Sequence, residues 1–186
     1  KATSLGGLNI SSIGNDLGLA MTQPALLSTK LDGELQVSVK PYFAGIQQYD
    51  VNGANKLKSD WVVGWGVHFM DYGSIAQTDI SGNEFGSINP NEYSIQVGIA
   101  KTYQEYFHFG TQIKFIQSNY GPYRSNGIAM DVGVSYDIND NLTLVLEGIN
   151  LTNETERSFG RFERQFLSAA QYGPRYAIGV RYTMGN

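Results

Sequence analysis

From Gly33 onward the chain alternates between bulky apolar and small or polar residues. Tyr93, Ile95, Val97 and Ile99 alternate with Ser94, Gln96, Gly98 and Ala100. Phe107, Phe109, Thr111, Ile113 and Phe115 alternate with His108, Gly110, Gln112 and Lys114. The same period of two runs through Trp61–Phe69, Ile128–Tyr136 and Tyr176–Tyr182, and more briefly through Leu35–Val39 and Leu142–Leu146. A period of two is the signature of strands with two unlike faces. It predicts strands over 34–42, 44–52, 60–76, 88–102, 105–119, 125–138, 141–152 and 173–184. The first two could form one strand, giving seven or eight. Bacterial single-chain barrels close on an even number, which favours eight.

The connections fit antiparallel hairpins. Tyr103–Glu105 and Asn139–Asn141 read as tight turns, whereas 79–91, 120–126 and 153–174 read as longer polar stretches. Short turns at one end and long loops at the other suit a membrane barrel. Residues 1–32 break the pattern. They are small and mildly apolar, and Pro24 is placed to open a short helical turn. This segment is either a lead-in or a plug or cap for a barrel formed by 33–186.

Composition decides which face is wet. Only 16% of the 186 residues are charged, with 22 glycines, 12 tyrosines and 9 phenylalanines. A water-facing surface normally carries about 25–35% charged residues, yet the polar positions here are mostly Gly, Ala, Ser, Thr and Gln. Small polar residues suit the crowded lumen of a narrow barrel, and the bulky apolar face suits lipid. Aromatics gather near span ends at Trp61, Tyr93, Tyr103, Phe107, Tyr136, Tyr176 and Tyr182, where membrane barrels place their girdles. The expected fold is therefore all-β: an antiparallel transmembrane β-barrel of eight strands behind a short N-terminal loop and helix segment. A soluble barrel or sandwich is the alternative. No apolar run reaches the about 18 residues of a spanning helix. The chain opens at Lys1 and reads as a mature chain whose export signal has been removed.

Alternation points Lys40, Lys114, Asp131, Glu147 and Arg181 into the lumen. They are expected to pair across it, because an unpaired buried charge is costly. Their reading is lumen packing, with a conduction path or ligand site as the functional alternative.

Catalytic and cofactor chemistry is sparse. With no cysteine and two histidines 40 positions apart, thiolate sites and a histidine-built metal site are not expected. His68 and His108 fall mid-strand and read as lumen or core residues. No phosphate loop follows Gly64–Gly66, and Asp79–Glu84 lacks the ligand density of a calcium loop. A net charge of -4 argues against nucleic acid. Arg157, Arg161, Arg164 and Arg175, beside Glu154, Glu156 and Glu163, read as a solvated charged loop, with a contact to a protein partner or lipopolysaccharide as the alternative.

Two resemblances cover different parts of the chain. Residues 5–118 resemble PorQ-like proteins of the Bacteroidetes type IX secretion system. The matching segments are Leu5–Ser11, Gln23–Ser28, Tyr42–Ala44, Met70–Gly73, Asp79–Gly86 and Glu92–Gly98. Such proteins look distantly similar to fatty-acid transporter barrels, in which a stretch like 5–31 sits within or beneath the barrel, and they are about twice this length. Residues 127–184 resemble the C-terminal strands of TonB-dependent receptors, through Ser135–Leu144, Glu147–Glu154, Gly160–Phe162, Gln171–Tyr176 and Gly179–Tyr182. Plug domain and energy-coupling box are absent, so TonB-coupled transport does not carry over. The last residues, Tyr182–Asn186, lack the terminal aromatic of those receptors. The pairing suggests a recombined, engineered or generated chain, joined near Tyr120–Asn126.

The expected function is a non-catalytic barrel in the outer membrane of a Gram-negative, Bacteroidetes-like bacterium. It would act in structure or secretion assembly, contacting lipid and assembly proteins and binding no cofactor. A narrow transport or ligand-binding barrel is the alternative. A barrel enzyme is a third reading, requiring a His, Asp or Ser cluster at the outer rim.

Overall fold

The computed structural model describes residues 16–139, 141–149, 153–157 and 175–182. Its main strands are β1 (Leu35–Pro41), β2 (Gln47–Lys56), β3 (Trp61–Asp71), β6 (Asn91–Tyr103), β7 (Phe107–Tyr120), β8 (Tyr123–Asn139), β9 (Leu142–Ile149) and β11 (Arg175–Tyr182). They form one antiparallel sheet in the order β1-β2-β3-β6-β7-β8-β9-β11. Every neighbour along that path is antiparallel. β10 (Asn153–Arg157) continues along β8 beyond the stretch covered by β9. No pairing joins β1 to β11 among the described residues.

Several boundaries differ from the sequence expectation. The first two strands are separate. A turn at Phe43–Gly45, with Ala44 and Gly45 at φ 58° and 78°, pushes β2 about four residues later than expected at its far end. The strand expected over 60–76 stops at Asp71. Ile75–Thr78 (β4) instead pairs with Glu84–Ile88 (β5) as a separate hairpin. At its tip Asp79 accepts hydrogen bonds from Asn83 Nδ2 and from the backbone of Ser81 and Asn83. These bonds, the Asn83 side chain foremost, hold the Asp79 carboxyl below its ordinary pKa. The long polar stretch expected at 120–126 is instead a two-residue turn. Tyr120 pairs with Tyr123 across Gly121 and Pro122, and Gly121 takes φ 63°.

At the other end, β6 turns into β7 through Gln104 and Glu105, both left-handed at φ 51° and 66°. Side-chain-bearing residues are strained there, whereas glycine is not. Glu105→Gly is expected to raise stability by about 1 kcal/mol. The measurement is the urea midpoint of the variant against the parent, and an unchanged or lower midpoint would contradict the strain argument.

The two faces of the sheet have opposite chemistry. Val97, Ile113 and Ile178 on the apolar face are 52%, 57% and 74% exposed, whereas Asp131, Gln112 and Glu147 on the other face are 0%, 1% and 5% exposed. The usual soluble arrangement, apolar in and polar out, is inverted. The polar face is covered by residues 16–31, which run through α1 (Leu17–Ala20) and 3-10 turns at Pro24–Leu26 and Thr29–Leu31. Asp16 caps α1 by accepting from Leu19 N. Leu17, Ala20, Met21, Leu27 and Leu31 form the buried apolar cluster with Ala54, Val62 and Ala100 of the sheet.

Small residues make room for this segment. A Cβ at Gly110 would clash with the Pro24 carbonyl. One at Gly64 would lie 2.8 Å from Leu27 Cδ2 and 2.9 Å from Met21 Sδ. The register puts Val62, Ala100, Gly110 and Gly133 on one rung across four strands, which gives the segment a flat bed.

Candidate functional site

Strand register assembles a polar cluster above that bed. Ser38 lies opposite Asp50, Asp50 opposite His68, and His68 opposite Ser94. Directly opposed residues of an antiparallel pair share a face, so these four cross β1, β2, β3 and β6 as one polar rung. The next rung carries Gln36, Asn52, Gly66, Gln96 and Lys114 in the same way. Gly66 leaves the space that Asn52 Oδ1 and Gln96 Nε2 occupy.

Asp50 is the hub. Its Oδ2 accepts from Lys40 Nζ, Ser38 Oγ and Gln48 Nε2, each at 2.9 Å. Its Oδ1 lies 2.6 Å from His68 Nδ1. Tyr42 OH donates to Gln48 Oε1 at 2.8 Å and extends the network toward the β1–β2 turn. The carboxylate fixes the imidazole through Nδ1 and leaves Nε2 without a hydrogen bond among the described residues. Ser94 makes no hydrogen bond to the ring, so the rung lacks the hydroxyl-to-imidazole contact that a nucleophile and base require.

A second pair lies deeper. Lys114 Nζ is 2.5 Å from Asp131 Oδ2, with Asp131 fully buried. Gln112 Nε2 donates to Met21 O at 3.0 Å, so this region also grips the N-terminal segment. Between the two clusters lies a cavity of about 330 Å³. Its floor is Gly18, Leu19, Met21 and Thr22, and its walls come from β1, β2, β3, β6 and β7.

The five charges expected to face inward are distributed as follows. Lys40 pairs with Asp50 and Lys114 with Asp131. Glu147 is buried opposite Gly133, and its Oε1 has no hydrogen-bond partner among the described residues. Arg181 takes the register position opposite Thr143, and its side chain lies outside the described residues. So do the side chains of Glu154, Glu156, Arg157 and Arg175, and all of Arg161, Glu163 and Arg164.

Sequence reading missed Asp50 as the partner of both Lys40 and His68. Its signal was the polar series Gln48, Asp50, Asn52 on alternate positions of β2, but the partners are named only once three strands are in register. His108, the other histidine, bonds Thr102 Oγ1 at 3.0 Å and Asp137 Oδ2 at 3.1 Å near the opposite end of the sheet. No group of three metal-ligating side chains occurs among the described residues.

No protein-family model matches the chain, and no curated protein is significantly similar to it.

Proposed function

We propose that the chain is an eight-stranded outer-membrane β-barrel plugged by residues 16–31, serving a structural or assembly role. Its outer face would contact lipid, and its loop end would meet proteins of a secretion or surface assembly. The observation that carries this reading is the inverted polarity of the sheet. A continuous band of exposed Val, Ile, Phe and Leu costs little in hydrocarbon and much in water. The central strands β6, β7 and β8 have 13, 14 and 17 residues, against about 9–11 needed to span, whereas β1, β9 and β11 have 7, 8 and 8.

Spanning requires closure, because an open edge leaves backbone groups unpaired in lipid. β1 and β11 are the two ends of the path and would meet to close it. The chain has no cysteine, so introduced pairs report cleanly. Val37→Cys combined in turn with Cys at Tyr176, Ile178 or Val180 should cross-link with a short bis-maleimide in at least one pairing. Failure of all three would leave the sheet open.

An eight-stranded interior is filled by its own side chains, and here it also holds the plug. The intact protein should give no steady conductance in planar bilayers. A large, steady current would favour transport over a structural role. A second reading, a ligand-binding barrel, is favoured by the cavity between the Asp50 hub and the plug.

A further inference from the structure

The formal charges of all residues lining the cavity balance, with His68 counted as neutral. Two lysines, Lys40 and Lys114, and two aspartates, Asp16 and Asp50, line it. Lys40 is held by Asp50 and Lys114 by Asp131, while Asp16 caps α1. An ionic ligand would have to compete for one of these partners, and at the buried Lys114–Asp131 pair that would strand the other charge.

The remaining hydrogen-bonding groups are neutral and underused. Gln36, Asn52 and Ser94 make no side-chain hydrogen bond among the described residues, and Gln96 uses only its carbonyl oxygen, accepting from Gln112. An apolar ligand would leave these amides and this hydroxyl without partners, at a cost for each. Carboxamides offer a donor and an acceptor side by side, and neighbouring hydroxyls on one ligand match both. At about 330 Å³ the space sits at the small end of ligand pockets, which run about 300–1,000 Å³. It is large enough for one sugar-sized ring.

We propose that this cavity binds a small, neutral, polyhydroxylated solute of about one sugar ring, and that occupancy holds residues 16–31 against the sheet. The proposal rests on the ligand-binding reading above. The link to the plug is direct, because Gly18, Leu19, Met21 and Thr22 form the floor on which the ligand would rest. A ligand that binds only the plugged form stabilises that form by mass action.

The probes are glucose and myo-inositol, with gluconate and glucosamine as charged analogues of similar size. Binding is followed by the NMR shifts of the His68 imidazole and by the rate of trypsin cleavage after Lys30, an exposed residue of the plug. Folding is first checked by circular dichroism in detergent and in plain buffer. Titrations are run wherever the protein is folded, so failure of the membrane reading does not decide the ligand reading.

Glucose or myo-inositol should saturate in the millimolar range and slow cleavage at Lys30 at least threefold. Gluconate and glucosamine should bind at least tenfold more weakly. Asn52→Ala with Gln96→Ala should weaken polyol binding at least tenfold while leaving the circular dichroism unchanged. The proposal is overturned if neither polyol saturates, if a charged analogue binds as tightly, or if the double variant binds normally. Saturation without slower cleavage would overturn the link to the plug.

Discussion

Asp131→Asn is expected to destabilise the protein by about 3–5 kcal/mol, the usual cost of removing one partner from a buried ion pair. Asp131 is fully buried, and Lys114 keeps only 17% of its side chain exposed. The amide left behind cannot balance the ammonium. Lys114→Met should cost a similar amount by leaving the carboxylate buried. The double variant, Lys114→Met with Asp131→Asn, should recover most of the loss, because no charge is then stranded. Urea unfolding of the two single variants and the double gives the coupling energy directly. If all three unfold with the parent, the pair is solvated and this face of the sheet is not an interior.

Arginine on the outer face provides the second large effect. Val97 and Ile113 lie opposite each other near the middle of β6 and β7, and both point outward. If this band sits in hydrocarbon, Val97→Arg or Ile113→Arg should cost about 2–4 kcal/mol when the protein is folded in bilayers. Arginine beside Trp61 should cost less. There Lys101 Nζ already lies 5.4 Å from the indole ring centre, and Phe109 meets the ring edge-on, an arrangement suited to the membrane interface. In a water-facing sheet the same arginines would be nearly neutral. The measurement is reversible unfolding in lipid vesicles of each variant against the parent.

Much of the sheet was legible because alternation is a local signal. β6, β7 and β8 fall within about three residues of their expected bounds, since the alternation of Tyr93–Ile99, Phe107–Phe115 and Ile128–Tyr136 runs through the body of each. β2 was misplaced because Gly53, Ala54 and Asn55 carry no apolar alternation. The strand continues there because Trp65, opposite Gly53, lays its ring over that glycine. A long-range partner supplies what the local sequence lacks.

The hairpin tip at Ile80–Asn83 is legible in the sequence, but the separate β4–β5 pairing that carries it is not. Ile75 to Ile88 alternates too weakly to reveal a pairing independent of the main sheet. At the candidate site, the inward positions of Lys40, Lys114, Asp131 and Glu147 follow from period two alone. Their partners do not, because Asp50 reaches Lys40 and His68 only through the combined register of three strands. The grip of residues 16–31 on Gly64, Gly110 and Gly133 is likewise a contact between segments far apart in sequence. Glycines at those positions announce space without naming the occupant. The N-terminal residues quoted for the first resemblance, Leu5–Ser11, lie outside the described residues.

The most direct test of the account is whether its outer face touches acyl chains. Trp65 is outward-facing, partly exposed and mid-strand, and Trp61 is the only other tryptophan. In a Trp61→Phe variant reconstituted into vesicles, the remaining fluorescence reports Trp65 alone. Lipids brominated along their chains should quench it strongly, and more than lipids brominated near the headgroup. Unquenched emission, with the protein folded and soluble without lipid or detergent, would contradict the barrel and restore a water-facing sheet.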